Sequence, residues 1–383
     1  MKNNRTFLEK LLNGAEVEWK PLIKVASLTR GRVISKEYLT DHLGDYPVYS
    51  SQTVNNGEIG KINSFDFDGE FVSWTTDGAN AGTVFYRSGK FSITNVCGLI
   101  KIQNNLELNY KFLFYWLSIE AKNHVYSGMG NPKLMSHQME KILIPIPPLS
   151  VQTEIVKILD ALTALTSELT SELILRRKQY EYYREKLLNI DEMNKVIELG
   201  DVGPVRMCKR ILKNQTASSG DIPFYKIGTF GKKPDAYISN KLFQEYKQKY
   251  SYPKKGDILI SASGTIGRTV IFDGQNSYFQ DSNIVWIDND ETLVLNKYLY
   301  HFYKIAKWGI AEGGTIQRLY NDNLKKVKIS IPPLKEQHRI VSILDKFETL
   351  TNSITEGLPL AIEQSQKRYE YYRELLLNFP GRE

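Results

Sequence analysis

One set of residues in the second half of the chain has the types and the order that catalysis could use. Pro234-Asp235 is followed by Glu245-Tyr246-Lys247, so two carboxylates could hold Mg²⁺ while the lysine orients an attacking water. The stretch QEYKQK, however, has the polar pattern of a surface helix, and the first half of the chain has no counterpart. We therefore favour a chance occurrence over a metal-dependent nuclease.

Two further patterns lack a residue that their chemistry needs. SGTIGRT, at residues 263–269, is too short for a phosphate-binding loop, which has four residues between its first glycine and Gly-Lys. The two IPPL segments lack both the amide or acid and the aromatic side chain found in amino-methyltransferase sites. The histidines and cysteines form no cluster with zinc spacing. We therefore predict no catalytic residue, no metal ligand and no cofactor bound by this chain.

Composition limits the class of protein and suggests its partner. With 383 residues, of which 42% are hydrophobic and 24% charged, the chain is long enough for two globular domains. A net charge of +7 favours a polyanionic partner such as nucleic acid, although a basic protein without such a partner could have the same charge. The two cysteines and the absence of a signal-peptide core or membrane-length apolar run predict a cytoplasmic protein without a membrane partner.

Polar loops between strand-like runs are the candidates for contact with nucleic acid. Runs such as EFVSW and DILISA predict strands, and the glycine-containing loops WTTDGANAGT and SASGTIGRT lie beside them. Hydroxyl, amide and guanidinium groups can hold phosphates or contact base edges; the alternative is a structural turn with surface charges. The DNA-binding candidates are Arg30, Arg32, Thr75, Thr76, Asn80, Lys133, Lys232, Lys233, Ser261, Ser263, Arg268, Gln317 and Arg318.

An internal repeat organises the whole chain. YEYYREKLLN and YEYYRELLLN, which begin at Tyr180 and Tyr369, agree at nine of ten positions. IPIPPLSVQTEIVKILD and ISIPPLKEQHRIVSILD, which begin at Ile144 and Ile329, agree at eleven of seventeen. A repeat of this length indicates a duplicated unit. The predicted order is a first globule at residues 1–146, a helical region at 147–190, a second globule at 191–331 and a second helical region at 332–383.

Each helical region has a heptad seam of apolar residues that a single helix cannot bury. The simplest solution is that the two helices pack on each other as an antiparallel coiled coil. Ser150 is the expected N-cap of the first helix, and Gly357-Leu358-Pro359 should break or kink the second. The residues predicted to pack between the helices are Ile155, Leu159, Leu162, Leu169, Tyr180, Tyr183, Ile340, Leu344, Phe347, Tyr369 and Tyr372.

Two tyrosine–arginine pairs lie off this seam. Tyr182 with Arg184, and Tyr371 with Arg373, have the composition that protein–protein interfaces favour, although solvated tyrosines are the alternative. Apolar runs with helical spacing, LNYKFLFYWL and LNKYLYHFYKI, lie among the strands. The predicted fold class is therefore α+β: two α/β globules, each joined to a long helix, in a pseudo-twofold, circularly arranged repeat.

The two IxIPPLxxQxxIVxILD segments, each followed by YEYYRExLLN, resemble the conserved regions of type I restriction–modification specificity subunits. The likeness covers essentially the whole chain. It implies a non-catalytic subunit of a bacterial host-defence system, in which each globule is a target recognition domain. Each domain would bind one half of a bipartite, asymmetric site on double-stranded DNA, and the conserved helices would fix the spacer between the halves.

The resemblance also implies partners that bring the cofactors. Two modification subunits, which are adenine-N6 methyltransferases using S-adenosylmethionine, would dock on the helices. Two restriction subunits, which are ATP-driven translocases with a nuclease domain, would join through them, so ATP and Mg²⁺ are also expected on partner subunits. Two other classes stay open from the sequence: a stand-alone nuclease or methyltransferase, and a coiled-coil scaffold without a DNA role.

Overall fold

The computed structural model describes residues 6–128, 130–189, 194–309 and 317–381. The chain divides into two compact units, Met1–Glu168 with Ile362–Glu383, and Leu169–Ala361. Each unit combines one globule with parts of both repeated helical regions, so the units cut across the four segments predicted from the sequence. In the described part of the chain, we find no helix with the length and apolar character of a membrane span.

The first unit is built around a six-stranded sheet. Its elements are α1 (Phe7–Leu12), β1 (Glu18–Pro21), α2 (Leu22–Val25), β2 (Ala26–Arg30), α3 (Lys36–Asp41), β3 (Leu43–Tyr49), β4 (Glu58–Ile62), β5 (Phe67–Thr75), β6 (Val84–Ile93), β7 (Cys97–Ile102), α4 (Tyr110–Glu120), α5 (Ser136–Met139), β8 (Leu143–Ile146) and the first half of α6 (Leu149–Leu188). The sheet order is β2-β7-β5-β6-β3-β4, and β1 pairs separately with β8. Neighbouring strands are antiparallel except β3 and β6, which are parallel.

The second unit has smaller sheets. After the second half of α6 its elements are β9 (Lys195–Glu198), α7 (Leu199–Val202), β10 (Val205–Arg206), β11 (Ile222–Tyr225), β12 (Tyr237–Ile238), α8 (Asn240–Lys249), β13 (Ile258–Ser261), β14 (Thr269–Ile271), β15 (Tyr278–Phe279), β16 (Ile284–Ile287), α9 (Asn296–Tyr303), α10 (Asn321–Lys325), β17 (Lys328–Ile331), α11 (Leu334–Asn352) and the start of α12 (Leu358–Leu377). The sheet orders are β10-β16-β13-β14, β12-β11-β15 and β17-β9.

The strands of the two globules follow one plan that differs at a single strand. β11 runs parallel to β15 as β3 runs parallel to β6, and β9 pairs with β17 as β1 pairs with β8. In the second unit, the short strands β14 and β15 stand where the first unit has the continuous β6, so the large sheet is divided. The predicted strands and the helices α4 and α9 are confirmed.

The repeated prolines mark the start of both long helices. α6 begins at Leu149 because the backbone carbonyl of Pro148 accepts from the amides of Val151 and Gln152. Ser150 therefore lies inside the helix, and its prediction as the N-cap is wrong. Pro333 has the same role before α11, where its carbonyl accepts from the amide of Gln337. Proline fits here because a helix start needs no N–H from this position.

The predicted break in the second helical region is confirmed. α11 ends at Asn352 and α12 begins at Leu358. Gly357 has a φ of +82°, and a Cβ there would lie 2.6 Å from the carbonyl oxygen of Thr349. A side chain would therefore meet both backbone strain and a steric clash. α6, by contrast, is continuous over 40 residues.

Segments of the two helical regions pack on each other within each unit. In the second unit, Arg177 donates to the carbonyl of Thr351 at 3.5 Å, and the ring of Tyr183 stacks on that of Phe347 at 5.7 Å. Rising numbers on α6 meet falling numbers on α11, so these segments are antiparallel. In the first unit, the hydroxyls of Thr166 and Ser365 lie 2.8 Å apart.

The seam residues also anchor the helices to the globules. Ile155 and Leu159 belong to the hydrophobic core of the first unit, against which Tyr369 and Tyr372 pack. Tyr180, Ile340 and Leu344 belong to the core of the second unit, against which Phe347 packs. Leu162 and Leu169 are half-buried, and Tyr183 keeps 42% of its surface exposed.

Candidate nucleic-acid interfaces and helix joints

Polar loops of the first unit meet in one place, which we call the first loop cluster. It consists of the segments that follow β2, β3, β5 and β6, together with residues 126–128 and 130–134. Arg30 bridges two of these segments, because its Nη2 donates to Thr76 Oγ1 at 3.2 Å and to the Asn95 carbonyl at 2.9 Å. Asn80 Nδ2 donates to the Ser51 carbonyl at 3.3 Å.

The first loop cluster brings together all six candidates predicted in the first globule, but it exposes only some of their side chains. Arg30, Arg32 and Lys133 are exposed. Thr75 and Thr76 are fully buried, so their hydroxyls are not accessible to bases in this structure; the Thr76 hydroxyl instead donates to the Val96 carbonyl. Asp66 accepts from Arg32 at 2.9 Å, whereas Arg30 and Lys133 are exposed cations without an ion pair among the described residues.

The second unit has an equivalent loop cluster, formed by the segments that follow β11, β13 and β15 and by residues 317–319. The amide of Leu319 donates to the Ala262 carbonyl, as the amide of Leu134 donates to the Thr76 carbonyl in the first unit. Arg318 forms a β-bridge with Ser263, where Lys133 bridges Asp77. A lysine and an arginine therefore occupy equivalent positions in the two clusters.

The candidates of the second globule divide in the same way. Ser261 and Ser263 are buried, and Ser263 donates to Asn283 Oδ1 at 2.8 Å. Arg268 is half-buried, and its Nη1 donates to the Phe230 carbonyl at 3.0 Å. The candidates with exposed side chains are Lys232, Lys233, Gln317 and Arg318. Exposed cations without carboxylate partners are suited to phosphate.

The patterns that suggested catalysis are held in ordinary ion pairs. Asp235 pairs with Lys226 at 2.9 Å, and Glu245 pairs with Lys249 on α8 at 3.0 Å. His301, Asp345 and Glu348 place ligand atoms within 4.8 Å of one another, but lysines already neutralise both carboxylates. Among the described residues, these groups fit structural ion pairs better than a metal centre.

A buried glutamine joins each globule to its long helix, a role that the sequence interpretation did not identify. Gln152 Oε1 accepts from the amide of Asn109 at 2.9 Å, and its Nε2 donates to the carbonyls of Glu107 and Pro147. In the second unit, Gln337 Oε1 accepts from the amide of Leu295 at 2.9 Å. Its Nε2 donates to the carbonyls of Leu293 and Pro332, as that of Gln152 donates to the carbonyls of Glu107 and Pro147. The sequence did contain a signal for this role, because the glutamine occupies the same position in both repeat copies.

An aspartate eight residues later completes each joint. Asp160 accepts from Lys111 Nζ at 2.5 Å and from the Tyr115 hydroxyl at 2.6 Å.

Asp345 occupies the equivalent position in the second unit and accepts from Lys297 at 2.5 Å. Its second partner is His301 Nε2, at 2.9 Å. His301 is fully buried, and burial lowers its pKa despite the neighbouring carboxylate. The repeated aspartates thus bind a lysine in both units but differ in their second donor.

The predicted partner-facing tyrosines are exposed. Tyr182 and Tyr371 keep 58% and 62% of their surface exposed. Their neighbouring arginines instead turn towards the chain itself: the Arg184 guanidinium lies 5.0 Å from the ring centre of Tyr180, and the Arg373 guanidinium makes the same contact with Tyr369 at 5.5 Å. Stacking of this kind stabilises the charge.

The exposed surface of α6 in the second unit extends beyond Tyr182. Ile174 and Leu175 are half exposed, which the heptad analysis missed because they fall off the seam. With Tyr182 they are exposed apolar and aromatic side chains on the same helix, and side chains of this kind are enriched in the cores of protein interfaces.

Two globules of one plan, each with a polar loop cluster and each fixed to repeated helices, define a two-part α+β recognition protein. The profile of the family described as "Type I restriction modification DNA specificity domain" matches residues 16–176 and 191–364. The chain therefore belongs to the type I restriction–modification DNA specificity family.

Individual relatives agree with this family. A Haemophilus influenzae protein assigned as a type I restriction enzyme specificity subunit is 71% identical over 99% of this chain and all of its own length. The EcoR124I/EcoR124II specificity subunit of Escherichia coli is 33% identical over 98% of this chain and 97% of its own.

Solved structures share the fold. The S subunit of a type I system from M. genitalium superposes with a TM-score of 0.57 at 16% identity, over 97% of this chain and 98% of its own. A chain from a structure concerned with complex assembly of the type I system gives 0.55 at 15% identity, over 95% of this chain and 98% of its own.

Proposed function

We propose that this chain is the non-catalytic specificity subunit of a type I restriction–modification complex. Each loop cluster binds one half of a bipartite, asymmetric site on double-stranded DNA. The observation that carries the proposal is the duplication of the cluster, with an exposed cation, Lys133 or Arg318, at the same position in each. Phosphate contacts by such cations position a protein on DNA, and neighbouring loop side chains supply the sequence preference.

The helices would set the spacer between the two half-sites. α6 has 40 residues, which corresponds to a length of about 60 Å. Joining two moderate binding sites by a rigid element strengthens binding only where both half-sites lie at the matching distance. Sequence specificity would then include the length of the spacer as well as the bases.

The catalytic groups belong to partner subunits. Two modification subunits carrying S-adenosylmethionine would dock on exposed helix surfaces such as that of Ile174, Leu175 and Tyr182. Two restriction subunits, with ATP and Mg²⁺, would join through them. The complex would act on chromosomal DNA in the cytoplasm.

Methylation mapping of the assembled complex tests this function. The chain is co-expressed with its modification subunits in a host without adenine methylation, and N6-methyladenine is mapped by single-molecule sequencing. We expect one asymmetric motif with a fixed spacer, and no methylation when either component is expressed alone. Mg²⁺-dependent cleavage or cofactor-dependent methylation by the purified chain alone would contradict the non-catalytic assignment.

A further inference from the structure

We propose that residues 53–56, at the tip of the loop after β3, contact DNA bases, and that the buried Arg87 is the positioning residue for this tip. The proposal rests on the proposed function and names side chains that determine one half-site. None of these residues was among the sequence-based candidates.

The tip combines exposure with a backbone held in an uncommon conformation. Val54 keeps 75% of its surface exposed. Asn55 and Asn56 are also exposed, and both have the left-handed backbone conformation, with φ of 51° and 53°. Non-glycine residues seldom adopt this conformation, and asparagine does so most readily, so both asparagines suit the turn that places them at the tip.

Arg87 supplies one of these contacts from inside the unit. Its side chain is 2% exposed, its Nη1 donates to the Asn56 carbonyl at 2.8 Å, and its Nε donates to Ser73 Oγ at 3.0 Å. The guanidinium carbon lies 3.6 Å from the ring centre of Tyr49, the last residue of β3. Among the described residues Arg87 has no ion pair. A buried cation without a carboxylate is costly, so the hydrogen bonds to Asn56 and Ser73 and the contact with the Tyr49 ring must offset that cost.

The remaining contacts fix the base of the loop and connect it with the other segments of the first loop cluster. Asn80 donates to the Ser51 carbonyl, and Thr94 Oγ1 donates to Ser50 Oγ at 3.0 Å. Gln52 Nε2 donates to the Glu58 carbonyl. Thus the loop base is bonded to the segments after β5 and β6, which also accept hydrogen bonds from the exposed Arg30, while the tip projects from them.

The tip side chains have the chemistry that base edges require. Within the described residues, the amides of Asn55 and Asn56 make no hydrogen bond, so both donors and acceptors remain available. An asparagine amide pairs with the N6 and N7 atoms of adenine in the major groove, and methyl groups such as those of Val54 and Thr53 contact the thymine methyl. The tip therefore fits an A·T-containing half-site.

The equivalent loop in the second unit has a different chemistry. It follows β11, and Arg268 Nη1 donates to the Phe230 carbonyl there, much as Arg87 donates to Asn56. Its exposed side chains include Lys232 and Lys233, which as flexible cations suit phosphates. An arginine-held loop is thus present in both units, but only the first presents neutral amides at its tip.

Glycine substitutions test the tip without disturbing its backbone. Asn55→Gly with Asn56→Gly keeps the positive φ angles accessible and removes both amides. Asn55→Asp with Asn56→Asp retains the shape but removes the donors. Asn105 is an exposed asparagine that follows the C-terminal end of β7, outside the first loop cluster, so Asn105→Gly is the matched control. Each variant is assembled with the modification subunits, and methylation rates are compared at sites with single base changes.

We expect both tip variants to discriminate about tenfold less strongly between the correct and an incorrect base at one or two positions of a single half-site. The other half-site and the spacer should be unchanged. Asn105→Gly should behave as the unchanged protein. A motif unaltered by both tip variants would overturn the proposal. If the unchanged complex itself gave no bipartite motif, the proposed function would fail instead.

Arg87 has its own test because a positioning residue acts through the tip. Arg87→Met should relax the same positions as the glycine variants, and Arg87→Lys should restore part of the discrimination. Relaxation of other positions, or loss of methylation at every site equally, would assign Arg87 to general stability and not to the tip. If Arg87→Met does not fold, the glycine variants and Arg87→Lys still decide the question.

Discussion

The joints between globule and helix in the two units share one half of their contacts and differ in the other half. Gln152 and Gln337 make the same three hydrogen bonds to backbone groups. The aspartates, however, bind Tyr115 in the first unit and His301 in the second. Contacts to backbone groups have thus kept their chemistry in both repeat copies, whereas contacts to globule side chains have changed.

The difference shows which part of the repeat is needed for geometry. A backbone carbonyl or amide is present whatever the sequence of the globule, so a glutamine that binds it can join globules of different sequence to the same helix. The second donor to the aspartate belongs to α4 or α9 and is free to vary with the globule. It also makes the second joint sensitive to pH, because an imidazole can take up a proton in a pH range where a tyrosine hydroxyl does not change its charge.

Removing the glutamines should have the largest effect, because it eliminates the hydrogen bonds that the two joints share. Gln152→Ala and Gln337→Ala each leave a backbone amide and two carbonyls without their partner, at a cost of about 3 kcal/mol in the free energy of unfolding. The two losses should be similar in size. Denaturant titration, with hydrogen exchange to assign the loss to its unit, measures them. Lys157→Ala, at a side chain that is 77% exposed, is the control; a large difference between the two glutamine variants would contradict the equivalence.

Neutralising the aspartates tests the part that differs. Asp345→Asn weakens the charge-assisted bonds from Lys297 and His301, and Asp160→Asn those from Lys111 and Tyr115. We expect each to destabilise its own unit by about 2 kcal/mol. Thermal unfolding with unit-resolved hydrogen exchange gives the result. Protection lost equally in both units would show that the joints are not independent.

The smallest expected effect is a pH dependence confined to the second unit. Burial lowers the pKa of His301 below its unfolded value, so the unfolded chain takes up the proton first as pH falls. The stabilisation is complete above the unfolded pKa, which is roughly 6.5, and declines as pH falls through the folded pKa.

Stability measured between pH 7.5 and pH 5.5 tests this dependence. Over this range, the free energy of unfolding of the second unit should fall by roughly 1 kcal/mol more in the unchanged protein than in His301→Gln, whose side chain does not titrate. The first unit should show no such difference, because burial and Asp160 raise the pKa of Tyr115 above its ordinary value. An identical pH dependence in the variant would remove His301 from the explanation.

The sequence predicted the helices and strands more completely than it predicted the contacts between side chains. The repeated motifs located both helices, the prolines at their starts and the break at Gly357, because these depend on local geometry. The strands followed from β-branched and aromatic runs. Hydroxyls such as that of Thr75 were predicted to face DNA, but the structure buries them, since residue type alone does not report which side of a loop faces the core.

Contacts between distant parts of the chain could not be predicted from one sequence. The bond between Arg87 and Asn56 spans 31 residues, and the amide of Asn109 meets Gln152 across 43 residues. The first unit also contains Ile362–Glu383, and the association of this C-terminal segment with the first globule depends on tertiary packing. The tip at residues 53–56 was missed for this reason, since NNGE in the sequence indicates only a turn.

The central claim is that each unit binds one half of a bipartite site and that the helices set the spacer between the halves, and a change in helix length tests it most directly. Four residues, one helical turn, are inserted into α6 between Ala161 and Gln179, and the methylated motif of the assembled complex is determined. Four residues add about 6 Å, which corresponds to about one or two base pairs. We predict a longer spacer with both half-sites unchanged. An unchanged spacer, or a change in the bases of either half-site, would contradict the account.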